Sequence, residues 1–542
     1  MCDERFDLVI LGGGVYGLSA AWDAALRGWK VAVLEKGDFG QATSSGSLKL
    51  IHGGLRYLQH LNFVRMRISI NERRRMLTIA PHLVHPLEFV MPCYGHGIKG
   101  PEAMRMALLV NDVMSFDRNK GLSRPGRIPP GRIISKAECL ELLPGIRAEG
   151  LTAGAIFYDG QMHNSERLTL SFGLSAAQQG AALANYVEAT GFRVENRRIK
   201  AVRVRDTLSD RTFEVAGEWF LNMTGPWSDL TVRLLDSPAP DRQVVRSKGI
   251  QLVTHPLPPR VAFPIESRQR DATAVIKRGG RNYFVTPWRG MSILGTTDTL
   301  FRGAPEDYAV TQADVAEFLA DLNALYPADL KPSDVRFWVG GLRPIGDEDT
   351  NPEHALASHK SQIRDHSREG GPDNLVSVVG IKYTVCRHIA QRALDHLVAR
   401  RGGASAPCRT AVTPLAGGDI GDLESFLDSA RRTAPPGTAE HLAHNYGARM
   451  KNVLALAANP EARELLPGSS EVLRAEVLHA VREEMALKLT DVVLRRTDLG
   501  TLGHPGRPAL EEAVRLMAKE LGWTPDRQQR ELADAEAVYH LA

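Results

Sequence analysis

The chain of 542 residues is poor in cysteine, in net charge and in long apolar runs. Its five cysteines are odd in number and form no CxxC pair, which argues against a disulfide framework or a zinc site and favours a reducing cytoplasm. The formal net charge is only +4, from 67 basic and 63 acidic side chains. A nucleic-acid-binding protein normally shows a stronger basic excess, so we expect no nucleic-acid partner.

No stretch reaches the roughly 18 consecutive apolar residues of a membrane-spanning helix. The opening MCDERFDLVILGGG carries charges of both signs before a short apolar run, which is not the pattern of a signal peptide. Apolar residues make up 43% and charged residues 24%, as in soluble globular proteins. We therefore expect a globular protein of several domains that contacts a membrane, if at all, from its surface.

A glycine-rich turn lies near the start of the chain. The apolar run FDLVIL predicts a buried strand, a helix-forming segment follows, and KVAVLEK predicts a second strand. Gly12, Gly14 and Gly17 form the GxGxxG pattern, in which the glycines permit a tight turn and the following helix offers N–H groups to a pyrophosphate. Glu35 ends the second strand, where an acid accepts ribose hydroxyls and disfavours a 2′-phosphate. The unit predicts FAD or NAD; a purely structural turn is the alternative.

The next segment favours FAD. A cluster of small hydroxyl side chains offers a second set of donors to a pyrophosphate, and it comprises Thr43, Ser44, Ser45 and Ser47. KLIHGGLRYL then places His52, Arg56 and Tyr57 within six positions, beside two glycines. An isolated histidine or arginine is more often a core residue or an ion-pair partner, so these three residues alone leave their role open.

Longer motifs carry a family resemblance. ATSSGSLKLIHGGLRYL resembles the signature of the FAD-dependent, quinone-linked glycerol-3-phosphate dehydrogenases. The segments NMTGPW, GTTD, GLRP and GIKYT resemble further motifs of that family, in the same order along the chain. The helical stretch EEMALKLTDVVLRRT resembles its C-terminal domain, so the resemblance covers nearly the whole chain.

The resemblance implies the residues of the site. For non-covalent FAD it implies Gly12, Gly14, Gly17, Glu35, Thr43, Ser44, Ser45, Ser47, Val187, Thr224, Gly225, Gly341, Lys382 and Thr384. For catalysis it implies His52, Arg56, Tyr57, Arg343 and Lys382, and no metal. The three cations among them would converge beside the flavin ring and bind a phosphate dianion. His52, ranked ahead of Tyr57, would accept the proton of the substrate hydroxyl.

The sequence also departs from the family pattern on segments that we expect to face the substrate. His359 stands where the family carries a substrate-binding arginine, so it would bind phosphate more weakly, unless Lys360 takes that role. Gln251 stands where a histidine is common, and Asn164 lies in a segment, 162–168, that the family usually writes with two aspartates before Ala-Arg-Leu. The exact substrate therefore stays open.

The fold class that follows is α/β. We expect a discontinuous Rossmann-type FAD domain (1–90, 151–240 and 341–400), an inserted and mostly antiparallel substrate domain (91–150 and 241–340), and an all-helical C-terminal domain (411–542) whose clearest amphipathic stretch is HAVREEMALKLTDVVLRRT. Another helical stretch with many arginines is expected from about 63 to 85.

The expected function is FAD-dependent oxidation of sn-glycerol 3-phosphate to dihydroxyacetone phosphate, with hydride transfer to flavin N5 and electrons passed to a quinone. The alternatives are an oxidase or dehydrogenase of another α-hydroxy or α-amino acid, and a non-catalytic flavoprotein. Peripheral attachment to the cytoplasmic membrane is expected through residues 98–120, where Met, Leu, Val and Phe are flanked by Lys and Arg. An ordinary amphipathic helix is the alternative there, and the oligomeric state, a homodimer included, stays open.

Overall fold

The computed structural model describes residues 4–235, 244–270, 280–347, 361–380, 382–403 and 405–542. The strands are β1 (Arg5–Leu11), β2 (Val31–Leu34), β3 (Leu50–Ile51), β4 (Val84–Tyr94), β5 (Arg132–Ser135), β6 (Leu151–Met162), β7 (Ala182–Ala184), β8 (Val187–Glu195), β9 (Arg198–Asp206), β10 (Thr212–Asn222), β11 (Val244–Thr254), β12 (Phe263–Arg270), β13 (Gly280–Trp288), β14 (Met291–Gly295), β15 (Thr299–Phe301), β16 (Val335–Asp347), β17 (Gln362–Asp365) and β18 (Leu375–Val379). The helices are α1 (Val15–Leu26), α2 (Phe63–Ile79), α3 (Pro101–Met114), α4 (Lys136–Leu142), α5 (Ser165–Gln178), α6 (Ser228–Arg233), α7 (Gln312–Leu325), α8 (Cys386–Arg401), α9 (Leu423–Thr433), α10 (Ala439–Tyr446), α11 (Met450–Leu456), α12 (Pro460–Arg463), α13 (Arg474–Glu484), α14 (Leu489–Asp491), α15 (Arg507–Leu521) and α16 (Pro525–Ala537).

A mostly parallel sheet forms the centre of the first domain. Its strand order is β17-β18-β10-β1-β2-β7; β9 pairs with β10 and β8 pairs with β9, both antiparallel. Strand β1 pairs in parallel with β2 on one side and with β10 on the other. All four side chains of β2 are buried, as expected for a parallel strand covered on both faces.

Helices α1, α5 and α8 cover one face of this sheet. Their apolar side chains and those of the sheet form one core cluster, in which Trp22 of α1 meets Phe172 of α5 edge to face at 5.7 Å between ring centroids. The opposite face packs against β8 and β9 through Val9, Phe192 and Phe220. The carboxyl ends of the parallel strands stay available to a ligand, as in other sheets of this type.

Two antiparallel sheets lie beyond this domain. One follows the order β12-β13-β14-β11-β15, with β16 also paired to β11, and the other joins β3, β6, β4 and β5. Strand β16 crosses the expected boundary at 340/341 and pairs along its length with β11. Strand β6, expected in the FAD domain, pairs with β4 and β5. The exact division into domains stays a proposal, and the pairing places 335–347 with the substrate sheet.

The chain after residue 420 is helical, which confirms the fold class as predicted. Two helices nevertheless end earlier than expected. The helix expected from 63 to 85 ends at Ile79 and is followed by β4. The amphipathic stretch 479–497 is not one helix, because α13 ends at Glu484 and Met485 adopts a φ of 54°. Among the described residues, no helix has the length and apolar character needed to cross a membrane.

Candidate active site

Gly12 and Gly17 shape the first turn of the dinucleotide-binding unit. Gly12 has a φ of 102°, and a Cβ atom there would lie 2.6 Å from the carbonyl oxygen of Met223. A Cβ atom at Gly17 would lie 1.9 Å from the carbonyl oxygen of Gly12. Both positions therefore require glycine. Gly14 is the N-cap of α1 and has no side chain to cover the helix end, so that end can face a phosphate.

The carboxylate of Glu35 lies at the end of β2, beside this turn. It accepts hydrogen bonds from the N–H groups of Gly13 at 2.6 Å and Gly37 at 2.9 Å. Burial raises the pKa of Glu35, and the two N–H donors oppose that shift. Val187 donates its N–H to the Glu35 carbonyl oxygen at 2.8 Å, so β8 begins next to this acid. Glu35 and Val187 thus lie at the edge where such sheets bind dinucleotides.

The four hydroxyl residues of the second loop divide into two pairs. Ser44 accepts a hydrogen bond from the N–H of Val15 at 3.0 Å, at the start of α1. Thr43 donates to a carbonyl oxygen of β16 at 2.6 Å. The hydroxyls of Ser45 and Ser47 bond within their own segment. Thr43 and Ser44 therefore join the glycine-rich turn to the substrate sheet, whereas Ser45 and Ser47 shape the loop.

Two later motifs meet the same turn. A Cβ atom at Gly341 would lie 2.8 Å from the Cα atom of Thr43, so β16 and the second loop are in backbone contact. A Cβ atom at Gly12 would lie 3.0 Å from the Cα atom of Thr224. Thr224 precedes Gly225, which has a φ of 57°. The structure therefore gathers the expected FAD-binding motifs around the open end of α1.

This donor set fits FAD. A dinucleotide needs a helix end and backbone loops for its pyrophosphate, and an acid for its ribose, and each is present at one edge of the sheet. Among the described residues, no group of three His, Cys, Asp or Glu side chains could hold a metal ion.

His52 lies between two buried partners. Its backbone N–H donates to the hydroxyl oxygen of Thr384 at 3.1 Å, which joins the HGGLRY segment to the GIKYT segment. Its ring Nδ1 lies 3.2 Å from Oδ2 of Asp159. The His52 side chain is 45% exposed, whereas that of Asp159 is 9% exposed. Asp159 therefore holds the Nδ1 edge of the imidazole, and the rest of the ring is accessible to a substrate.

The expected cations converge near Tyr57. The Lys382 ammonium donates to the Tyr57 hydroxyl oxygen at 2.6 Å and lies 4.5 Å from the centre of its ring. Burial lowers the pKa of Lys382, contact with Tyr57 opposes this, and the charges of Arg56 and Arg343 lower it further. Arg343 itself is bound by Asp298 of the GTTD motif at 2.8 Å. Arg56 and Arg343 thus both lie within electrostatic reach of Lys382, although the three are far apart in sequence.

The three departures from the family pattern fall in different places. Gln251 lies buried in β11 and donates to the Thr296 hydroxyl at 2.8 Å, inside the substrate sheet. Asn164 instead caps α5 and donates to Asp498 of the C-terminal domain at 2.6 Å. The Asn164 side chain is therefore engaged between α5 and the C-terminal domain, and the expectation that its segment faces the substrate stays a prediction. His359 and Lys360 lie outside the described residues.

Sequence reasoning missed the residues that brace the site. Asp159 comes from β6 and shows no motif signal of its own. Asp38 is fully buried and receives both guanidinium groups of the Arg495-Arg496 pair, with Arg496 at 2.7 Å. The pKa of Asp38 falls to about 2, because these two arginines outweigh the effect of burial. The sequence signals that could have indicated this contact are an acid three positions after Glu35 and the Arg495-Arg496 pair.

Comparison with known proteins agrees with this geometry. A family model described as FAD dependent oxidoreductase matches residues 7–382, and one described as the C-terminal domain of alpha-glycerophosphate oxidase matches residues 408–528. The fold and the site thus define an FAD-dependent oxidoreductase.

Comparison with individual relatives identifies a family within this class. A glycerol-3-phosphate dehydrogenase of Synechocystis sp. is 33% identical over 98% of this chain and 95% of the relative, and one of Mycobacterium leprae is 32% identical over 98% and 88%. The solved structure of glycerol-3-phosphate dehydrogenase from Bacillus halodurans, complexed with FAD, matches with a TM-score of 0.77 at 26% identity over 99% of this chain and 95% of that chain. The chain belongs to the FAD-dependent glycerol-3-phosphate dehydrogenase family, which confirms the resemblance seen in the sequence.

Proposed function

We propose that the protein oxidises sn-glycerol 3-phosphate at C2 to dihydroxyacetone phosphate and passes the electrons to a quinone at a membrane surface. The observation that carries the substrate assignment is the convergence of Arg56, Arg343 and Lys382 beside Tyr57. Cations repel one another, and although Asp298 contacts Arg343, an anion bound beside Lys382 would lower the remaining repulsion. A phosphate dianion matches it, and each charge-assisted hydrogen bond contributes about 1.5–3 kcal/mol.

The lysine of this cluster is poised for an anion. Among the described residues, no carboxylate lies within ion-pair distance of Lys382, whose ammonium donates to the Tyr57 hydroxyl. Arg343 is oriented by Asp298, which contacts the same guanidinium nitrogen with both oxygens, at 2.9 and 2.8 Å. One cation therefore supplies a flexible point charge and another a fixed planar fork, and the two together suit a phosphate.

His52 is the residue that we assign to the substrate hydroxyl. Bound FAD supplies the acceptor for the C2 hydrogen at N5 of its ring. The accessible imidazole of His52 then takes the hydroxyl proton as the carbonyl forms, the task for which histidine is best matched near neutral pH. Tyr57 is less suited to this role because its hydroxyl oxygen already accepts from Lys382.

Quinone access is proposed through an exposed apolar face of α3. The side chains of Met106, Leu109 and Val113 on α3, and of Phe116 just after its end, are between 56% and 79% exposed, at the spacing of one helix face. The opposite side of α3 is anchored in the core by Met104 and Leu108. An ordinary amphipathic helix exposes polar residues on its outer face, so this helix is better explained by insertion into a lipid surface.

The start of α2 extends this surface toward the active site. Leu61, Phe63 and Val64 are exposed and directly follow the short helix Leu55–His60, which carries Arg56 and Tyr57. The two helices meet where the guanidinium of Arg67 lies 4.9 Å from the centre of the Phe116 ring. We call these seven exposed apolar residues of α3 and the start of α2 the apolar patch. Its closeness to the substrate segment supports a lipid-soluble acceptor.

Exposed basic side chains lie close in sequence to the apolar patch. Arg105, Lys120, Arg124 and Arg127 are exposed on α3 and on the loop after it. Such cations favour an anionic lipid surface by about 1 kcal/mol each. This charge distribution supports peripheral attachment to the cytoplasmic face of a membrane.

The decisive experiment is anaerobic mixing of the purified holoenzyme with glycerol 3-phosphate while the flavin absorbance is followed. We expect rapid loss of the oxidised flavin band with glycerol 3-phosphate, and none with glycerol, lactate or amino acids at the same concentration. The reduced enzyme is then mixed with a short-chain quinone or with oxygen, and faster reoxidation by the quinone is expected. Reduction by a non-phosphorylated hydroxy acid alone would refute the substrate, and preference for oxygen would refute the acceptor.

A further inference from the structure

A chain of three side chains from three elements ends at the imidazole of His52. Asp159 of β6 lies 3.2 Å from His52 Nδ1 through Oδ2, and its Oδ1 lies 2.8 Å from a guanidinium nitrogen of Arg73 on α2. The backbone N–H of Gly53 also donates to Oδ1. Both oxygens of one buried carboxylate are therefore occupied, one by the imidazole and the other by a fixed cation and an amide.

The residue after His52 must be small for this contact to form. A Cβ atom at Gly53 would lie 2.2 Å from the Arg73 guanidinium and 2.9 Å from Asp159 Oδ1. The Arg73 side chain is only 3% exposed, so it has no room to withdraw. The local sequence His-Gly is thus what allows a buried carboxylate to reach both the ring and the backbone behind it.

The charge state of Asp159 suits a role toward His52. Burial raises the pKa of Asp159, but the His52 hydrogen bond, the Arg73 charge and the Gly53 N–H together bring it below its ordinary value. The carboxylate is therefore ionised at any pH near neutral and can only accept hydrogen bonds. A neutral imidazole facing it must carry its proton on Nδ1, which leaves the lone pair on Nε2.

We propose that Asp159, held by Arg73, is a positioning residue that fixes the Nδ1–H tautomer of His52 and stabilises the imidazolium formed during substrate oxidation. This inference rests on the proposed role of His52 as proton acceptor. In the step, the O–H bond at C2 breaks and its proton moves to Nε2, the C2–H bond breaks and its hydrogen leaves with two electrons to FAD, and the C=O bond forms. The proton on Nε2 then passes to solvent, to which the His52 side chain is 45% exposed.

A purely structural role is the competing explanation, because the Arg73–Asp159 ion pair also ties α2 to β6. A structural role predicts loss of stability or of flavin, with the chemistry unchanged in the protein that remains folded. A positioning role predicts slower flavin reduction at normal flavin content and a changed pH profile.

The test uses Asp159→Asn in the full-length holoenzyme, with Tyr158→Phe as a matched control. Tyr158 is the preceding residue of β6, and its hydroxyl donates to Glu88 at 2.6 Å, away from His52. The side-chain amide of the asparagine can donate to Nδ1 of His52. The imidazole proton would then lie on Nε2, so this nitrogen could no longer accept the proton of the substrate. We expect the limiting rate of flavin reduction by glycerol 3-phosphate to fall by about 10²–10⁴-fold, with KM changed less than about threefold.

His52→Ala and the double variant separate this inference from the proposed function. If His52→Ala reduces its flavin at the wild-type rate, His52 is not the proton acceptor and the assigned role of His52 is wrong. If His52→Ala is slow but Asp159→Asn is fast, only the positioning inference fails. When both are slow, the double variant should be no slower than His52→Ala; a further additive loss would show that Asp159 acts independently of His52.

The pH profile gives a readout that a structural role would not move. The acidic limb of kcat/KM should shift to lower pH in Asp159→Ser, because the imidazolium loses its carboxylate partner while serine cannot force the other tautomer. This smaller variant also serves if Asp159→Asn does not retain FAD. An unshifted limb together with wild-type flavin reduction would overturn the proposal.

Discussion

Lys382 and Tyr57 form a cation–hydroxyl contact at 2.6 Å between segments that are 325 positions apart. Lys382 is half-buried and, among the described residues, has no carboxylate partner. A partly desolvated cation of this kind is stabilised by an anion that arrives with the substrate. The contact therefore links the HGGLRY and GIKYT segments at the place where a phosphate would bind.

Replacing Lys382 with methionine should weaken the substrate interaction strongly. We expect kcat/KM for glycerol 3-phosphate to fall by about tenfold to hundredfold or more, the range of one charge-assisted hydrogen bond. Tyr57→Phe should lower kcat/KM less, because the Lys382 ammonium keeps its charge in that variant. Steady-state kinetics of both variants, beside the exposed control Lys451→Met, test this. Equal losses in all three variants would contradict it.

Substrate affinity should fall at alkaline pH. The pKa of Lys382 is lowered by burial and by Arg56 and Arg343, against the opposing effect of Tyr57. As pH rises through this lowered value the lysine loses its charge, so KM for the dianion should rise at a pH below 10.5, the ordinary value for lysine. Lys382→Arg stays charged and should delay the rise. A KM that is constant up to pH 10 in the wild type would contradict the prediction.

The apolar patch should determine binding to lipid. The double variant Val113→Asp/Phe116→Asp places two charges on the exposed face of α3, and we expect it to lose co-sedimentation with anionic vesicles. Val412→Asp is the matched control, since Val412 is 73% exposed in the chain after α8. Flavin content checks that each variant is folded. Equal vesicle binding by wild type and double variant would exclude the patch as the attachment site.

Stability should fall as pH drops from about 6.5 to 4. His82 is completely buried and its pKa is lowered to about 3, first by burial and then by the charges of Arg167, His444 and His163. In the unfolded chain this histidine takes up a proton near pH 6.5, whereas in the folded chain it stays neutral until a much lower pH. The free energy of unfolding therefore decreases as pH falls through this window.

Replacing this histidine with a residue that does not titrate should flatten that dependence. In His82→Asn the slope should be smaller by about 1.4 kcal/mol per pH unit. Part of the slope should remain, because the pKa of His163 is lowered to about 4 by burial. Urea unfolding at several pH values between 4.5 and 6 measures both slopes. Identical slopes in the two proteins would show that His82 does not contribute.

The local parts of the fold were predictable because their signals are local. The first strand, the glycine-rich turn, α1 and the acid at Glu35 follow one another within about 30 residues, the length of one supersecondary unit. The periodicity of an isolated segment and the sterics of glycine suffice to place them. The site cations could be grouped only through the family resemblance, because residue spacing carries no information on contacts across 300 positions.

Contacts between domains were not predictable. The stretch 479–497 keeps helical periodicity, yet the structure breaks it after α13, because the Asp491 carboxylate accepts from the N–H groups of Leu487 and Lys488 and starts a new turn. Asp491 also accepts from the hydroxyl of Tyr186 in the first domain at 2.6 Å. Tertiary contacts of a single acid thus override the local pattern. Asp159 escaped prediction for the same reason, since its partners come from other elements.

The buried contact of Asp38 with Arg495 and Arg496 has a consequence for assembly of the holoenzyme. Asp38 follows Glu35 by three positions, so the loop that carries the acid we expect to bind the ribose also docks the C-terminal domain. Linkage between two such events is reciprocal: if an ordered loop favours FAD binding, bound FAD favours docking of these helices by the same free energy. We therefore expect loss of FAD to weaken docking of the C-terminal domain, and loss of docking to weaken FAD binding.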